Sequence, residues 1–243
     1  MLRVERLEDR DVPAPLTGYL PEETGAFLDP AHLDQLKTVR TYPQDGAGGR
    51  LTVTDAATGA VDYDGFPFGA DARLGGQAVV IPGGSAGADR LAFCFPNAGA
   101  GPRVGVLQAD AAGRIDLVAS YFVLPELYRG GFTIQAALTA PGADRYELLV
   151  LAGASGGPVL AAMNPADGRI RAQFFVGPAD DRAGGYSFQP QGSYVSSPVT
   201  GVWSVAINYR APGVAADSPR ATRTGLFSLA DGTDMSAELS VLV

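Results

Sequence analysis

The chain has 243 residues, 46% of them hydrophobic, and a formal net charge of −8. That is length for one large domain or two small ones, with a proper core. A single histidine, a single cysteine and a single lysine, Lys37, exclude a His/Cys zinc site, an intrachain disulfide and a Walker-type phosphate loop. The 32 glycines and 18 prolines make about one residue in five a turn-former, which suits many short strands. The arginines are scattered and the surface is acidic, so neither nucleic acid nor an anionic membrane is an expected partner. No run of about 18 apolar residues occurs, so no membrane insertion is expected either. No cofactor or metal is assigned.

Residues 1–15, MLRVERLEDRDVPAP, read as a charged tail without the apolar stretch of a secretory signal. Residues 16–45 hold two weak strand signals, Gly25–Asp29 and Leu36–Tyr42. The spacing of His32, Leu33 and Leu36 also permits a helical turn over 30–38. From residue 46 the chain repeats with a period of about 54. A glycine-rich phrase opens at Gly46, Gly99 and Gly153. A turn recurs at Thr58-Gly59, Ala112-Gly113 and Asp167-Gly168. A glycine pair recurs at Gly75-Gly76, Gly130-Gly131 and Gly184-Gly185, and Asp89-Arg90 recurs as Asp144-Arg145. Four markers in one order define a structural repeat.

The second unit shows what is repeated. Its apolar stretches are Arg103–Leu107, Ile115–Leu124, Phe132–Leu138 and Tyr146–Leu151, each bounded by Gly, Pro or Asp. Four strands in about 54 residues match one β-propeller blade, whose two faces need neighbours. The expectation is an all-β fold, a small β-propeller of about four blades, over residues 16–243. Its units are 46–98, 99–152 and 153–209, and a closing blade combines 210–243 with 16–45. In that last unit Thr224–Ala230 and Ala237–Leu242 are the strand candidates, with Asp231-Gly232 as a turn. Five irregular blades or a sandwich are the alternatives.

Two resemblances add to this reading. Val4-Glu5-Arg6-Leu7-Glu8-Asp9-Arg10 with Val12-Pro13 resembles the LE-x-LE-x-R type N-terminal signature of bacterial surface or exported repeat proteins. Gly99-Ala100-Gly101-Pro102-Arg103-Val104, Tyr121-Phe122, Arg129-Gly130-Gly131 and Gly142-Ala143-Asp144 resemble degenerate FG-GAP-type, integrin-α-like propeller repeats over about 46–190. The resemblance implies a β-propeller, an extracellular or cell-surface setting, and a binding or adhesive role toward a protein or carbohydrate ligand. It also implies calcium loops, but only Asp89 and Asp144 stand where several acids are needed, and one carboxylate does not hold calcium.

One stretch carries a catalytic pattern. Gly153-Ala154-Ser155-Gly156-Gly157-Pro158 resembles the nucleophile loop of chymotrypsin-like serine proteases, and Ala31-His32 resembles their general-base motif. The resemblance would make Ser155 the nucleophile, His32 its base and Asp89 the orienting carboxylate. Ala154 departs from the Asp of that family. The phrase also recurs at Gly46 and Gly99 without serine, and Asp89 recurs as Asp144. The sequence therefore reads as a non-enzymatic surface binding module. The hydrolase is the first alternative and a decayed structural repeat without ligand the second.

Smaller features have structural readings. Asp62 and Asp64 stand on one face of a strand edge, Asp180-Asp181-Arg182 is a charged loop, and Glu22-Glu23 has no visible carboxylate partner. Arg50 and Arg103 are expected to tie neighbouring strands near the loops of Asp89 and Asp144. Cys94 and Trp203 read as core, and Tyr121, Phe122, Phe174 and Phe175 as packing between blades.

Overall fold

In the computed structural model every described element is a β-strand. The structure describes residues 23–29, 32–42, 48–69, 74–83, 88–96, 99–139, 145–153, 159–176, 186–188, 194–196, 203–210 and 222–228. The tail 1–15, Ser155, Asp144 and Ala237–Leu242 lie outside them.

The first sheet is an antiparallel meander of β1 (Glu23–Asp29), β2 (His32–Thr41), β3 (Leu51–Asp55) and β4 (Val61–Gly65). The second repeats it with β5 (Gln77–Ile81), β6 (Arg90–Cys94), β7 (Arg103–Ala109) and β8 (Ile115–Phe122). The third repeats it again with β9 (Phe132–Ala137), β10 (Glu147–Ala152), β11 (Val159–Met163) and β12 (Ile170–Phe175). In the fourth, β13 (Tyr186–Phe188) and β14 (Tyr194–Ser196) pair with successive stretches of β15 (Trp203–Arg210). β16 (Thr222–Ser228) pairs along nearly all of β15. One edge of β15 is therefore filled by β16, and β13 and β14 are two halves of one interrupted strand on the other.

The first strands begin at 23, 77, 132 and 186, so the sheets keep the period of about 54 residues. Their phase corrects the expected units. Units 46–98, 99–152 and 153–209 each begin in the middle of a sheet, because a periodic sequence fixes spacing and not where a repeat starts. β2 pairs with β3, from Lys37↔Asp55 to Thr41↔Leu51. Strands β1 and β2, from residues 16–45, thus belong to a sheet that β3 and β4 complete among the described residues. The helical turn over 30–38 is also corrected: His32–Thr41 is a strand.

Packing follows from which faces are apolar. Leu91, Ala92, Phe93 and Cys94 are all fully buried, although their side chains point to alternate faces of β6. One face of the second sheet, with Ala78, Leu91, Phe93 and Leu107, meets Val39, Leu51 and Val53 of the first. The opposite face, with Ile81, Ala92, Cys94 and Val104, meets Phe132, Ile134, Leu148 and Val150 of the third. The far face of the third, with Leu149, Leu151 and Leu160, meets Phe227 of β16. A sheet buried on both faces reads as a continuous apolar run and not as an alternation. That is why β6, β10 and β11 each carry an unbroken run of apolar residues.

Neighbouring sheets approach along their first strands, β1 to β5, β5 to β9 and β9 to β13. The Gln77 side chain holds one such approach: Nε2 donates to Ile134 O at 3.1 Å, and Ile134 N donates to Oε1 at 3.0 Å. The last strands face outward. β8 buries Ile115 and then exposes Asp116, Leu117 and Val118.

The hairpins joining third and fourth strands have one design. Asp55, Asp110 and Asn164 each accept main-chain N–H groups from the turn that follows, at 2.7–3.0 Å. Gly59, Gly113 and Gly168 close these turns with φ of 72–79°. The three glycine turns therefore stand between paired strands, as their spacing predicts.

Candidate functional site

Of the alternative triad, only Asp89 has a described side chain. Asp89 follows the end of β5, and its Oδ1 accepts the Gly83 N–H at 2.8 Å, closing its own hairpin. The loop predicted to be a degenerate calcium site is thus tied by its surviving carboxylate. His32 opens β2 opposite Asp29. Ser155 lies outside the described residues, but Gly153, two residues before it, does not. Gly153 N donates to Gly131 O at 2.8 Å, just before β9. β5 and β9 lie start to start through Gln77 and Ile134, so Asp89 and Gly153 occupy opposite ends of this pair of sheets.

Gly153 also has a packing reason. A Cβ there would stand 2.7 Å from Gly130 O and 2.9 Å from Gly131 O, closer than any real side chain approaches. The Tyr128 hydroxyl donates within the same junction, 3.0 Å from Gly131 O and 3.2 Å from Gly153 O. The glycine-rich phrase and the glycine pair, read as separate markers in the sequence, meet here in one close contact.

The other acidic candidates are engaged. Asp62 Oδ2 lies 3.0 Å from Lys37 Nζ, an ion contact without aligned hydrogen-bond geometry, and Asp55 Oδ2 lies 3.4 Å away. Burial lowers the Lys37 pKa, but the Asp62 and Asp55 carboxylates outweigh it and hold the ammonium above its ordinary value. The Thr58 N–H and hydroxyl, assisted by Lys37 and Ala57, pull Asp55 down to about 2 against the opposing effect of burial. Asp64 meets Arg50 bidentately, at 2.6 and 2.5 Å, and that guanidinium holds its pKa below the usual range. Arg50 therefore ties β3 to β4 as expected of a strand tie, but through Asp64 and not through Asp89. Arg103 makes the matching tie with the Ser120 hydroxyl, at 2.5 Å, and lies over the Phe68 ring. Among the described residues no group of three His, Cys, Asp or Glu could hold a metal.

Cys94 is a buried thiol whose pKa burial pushes up, as its apolar strand predicts. Tyr121 packs against the core between the second and third sheets and donates to Ala166 O at 2.9 Å. Phe174 packs against the core of the third sheet. Phe122 and Phe175 do not pack between sheets: they are 52% and 62% exposed at the ends of the outermost strands. The Trp203 side chain lies outside the described ones.

What sequence reasoning missed is a cleft of about 360 Å³ between the second and third sheets. Its walls come from three hairpins. Ile81, Pro82, Gly83 and Ala88 belong to the β5–β6 hairpin, Arg145 and Tyr146 to β9–β10, and Asn164, Pro165 and Ala166 to β11–β12. Arg90 and Gln108 complete it. Arg90 Nε donates to Gln108 Oε1 at 3.0 Å, which fixes the plane of the guanidinium. The Tyr121–Ala166 bond clamps the third sheet's turn against the second sheet and holds that wall in place. The signal in the sequence was the repeated Asp-Arg pair. Asp89 serves its loop, and Arg90 and Arg145 face the cleft. No family model matches this chain, and no curated protein does either.

Proposed function

We propose that the chain is a β-propeller-type binding module of the cell surface or extracellular space that holds its ligand without covalent chemistry. Sheets packed face to face in chain order, closest along their first strands and exposed along their last, support an arrangement of blades around an axis. The N-terminal signature supports the setting. The observation that carries the binding role is the cleft between the second and third sheets, where three hairpins converge polar groups on one space. Separation of Asp89 from Gly153 weighs against the hydrolase.

The test has two arms. The full chain is passed over immobilised acidic and neutral polysaccharides and bacterial surface proteins, and treated with a fluorophosphonate probe. Retention on a defined ligand, with no labelling that depends on Ser155, is the expected result. Failure to be retained on any surface, or labelling abolished by Ser155→Ala, overturns the reading.

A further inference from the structure

We infer that the cleft between the second and third sheets is a site for a carboxylated sugar, with Arg90 and Arg145 as the groups that receive the carboxylate. The inference rests on the binding reading above and names its ligand class.

The argument starts from charge. The chain carries −8 overall, so an anion meets net repulsion unless a local surface reverses it. The cleft does so: two guanidiniums line it, and among the described residues no lining side chain is acidic. The two arginines are equivalent residues of successive repeats, each the second residue of a repeated Asp-Arg pair. The packing of one sheet on the next brings them to one space.

Their states favour a ligand. Arg90 is spent on a neutral partner, the Gln108 amide oxygen, so its charge is oriented and not neutralised. Arg145 is exposed and makes no ion pair with a described residue. Of the other described arginines, Arg50 is paired by Asp64, Arg114 by Asp110 and Asp116, and Arg171 by Glu147, whereas Arg103 and Arg129 are held by the neutral Ser120 hydroxyl and by main-chain carbonyls. A planar guanidinium fork matches a carboxylate bidentately.

The rest of the lining selects the body that carries the carboxylate. Gln108, Asn164, the Tyr146 side chain and hairpin main chain offer amide, hydroxyl and peptide groups suited to a polyhydroxylated ligand. A volume of about 360 Å³ holds one or two sugar rings and not a peptide helix or a folded partner. Free sugar acids and the uronic acid residues of an acidic polysaccharide present the same chemistry.

The full chain is titrated calorimetrically with sodium glucuronate, with glucose and with a polyglucuronate chain, at low and at physiological salt. Glucuronate is expected to bind at least about tenfold more tightly than glucose, and more weakly as salt rises. Arg145→Gln, an exposed change that leaves the fold intact by circular dichroism, is expected to weaken glucuronate at least about tenfold. Arg90→Gln is expected to act the same way, and Arg114→Gln, outside the cleft, to leave affinity unchanged. Polymer binding lost with Arg145→Gln places a uronic acid residue of the polymer in the cleft. Equal affinity for glucose and glucuronate overturns the assignment, and so does binding that survives both Arg145→Gln and Arg90→Gln. In that last case retention on acidic polysaccharide persists and the broader binding role stands. Absence of retention on every surface removes both.

Discussion

The first and third sheets solve one problem with opposite charges. In each, the fourth strand carries an extra residue where its register with the third strand shifts. In the first sheet Val53 and Thr54 pair with Tyr63 and Val61, which leaves Asp62 as the bulged residue. In the third, Ala162 and Met163 pair with Ala172 and Ile170, which leaves Arg171. Each bulged residue reaches across the third strand to a charge on the second: Asp62 to Lys37, and Arg171 to Glu147, the latter at 2.9 Å. The acid and base have traded places between repeats. The second sheet has the same bulge at Val118, between Ala119 and Leu117, and Val118 is exposed. A bulge re-aims its residue out of the pleat. The repeat conserves the bulge, and each sheet fills it with its own chemistry.

Burial separates the two ion pairs. Lys37 is 5% exposed and has two carboxylates, whereas Arg171 is 44% exposed and has one. Breaking the first should therefore cost far more. Lys37→Met leaves Asp55 and Asp62 without their cation, and removing one partner of a buried pair costs about 3–5 kcal/mol. Arg171→Met breaks a largely solvated pair, worth about 0–1 kcal/mol. Urea unfolding of the two variants measures the gap. Equal losses would mean that water reaches Lys37 as freely as Arg171.

The turns offer a second contrast between the same sheets. Gly59 and Gly168 share a φ of +72°, a region costly for residues with a Cβ. A methyl at Gly59 meets nothing within 4 Å, whereas one at Gly168 would lie 2.2 Å from the Tyr121 ring. Gly59→Ala should cost about 1 kcal/mol from backbone strain alone. Gly168→Ala should cost about 1–3 kcal/mol more, because Tyr121 must move away from Ala166 and from the third sheet. Thermal melts of both variants, with Tyr121→Ala as the background that relieves the clash, separate strain from overlap. A Gly168→Ala loss unchanged by Tyr121→Ala would rule out the overlap.

These contrasts also show what the sequence could carry. The turns were legible because Gly59, Gly113 and Gly168 answer a local backbone demand. Strand positions in the second repeat were legible because Gly, Pro and Asp bracket them, and Arg103–Leu107 and Phe132–Leu138 lie within a residue or two of β7 and β9. The phase was not, since Gly46, Gly99 and Gly153 mark the connection between second and third strands and not the start of a sheet. The Lys37–Asp62 and Glu147–Arg171 pairs were hidden for a different reason. They join strands that are not neighbours, through a bulge that breaks alternation, and the swapped signs conceal their equivalence. The cleft was half legible. Asp89-Arg90 and Asp144-Arg145 stood out as repeated, but only sheet packing shows that the arginines of two repeats share one space.

A last contrast tests the turn residue itself. Asp55 and Asn164 do the same work in the first and third sheets, each accepting N–H groups from its turn. Asn has no proton to gain, whereas Asp55 titrates near 2 when folded and near 3.9 when unfolded. A depressed folded pKa means that the unfolded chain takes up the proton first as pH falls. The stabilisation from Asp55 is therefore complete above about pH 5, declines through the window down to its folded pKa, and is gone below it. Asp55→Asn gives the first sheet the turn of the third and leaves Lys37 its contact with Asp62. Near pH 7 the melting temperature should fall, since a charged acceptor is replaced by a neutral one. Between pH 5 and 2 the curves should converge, because only the parent chain is still losing the contribution of Asp55. Curves that stay parallel across that window would show that Asp55 is protonated no more easily in the unfolded chain than in the turn.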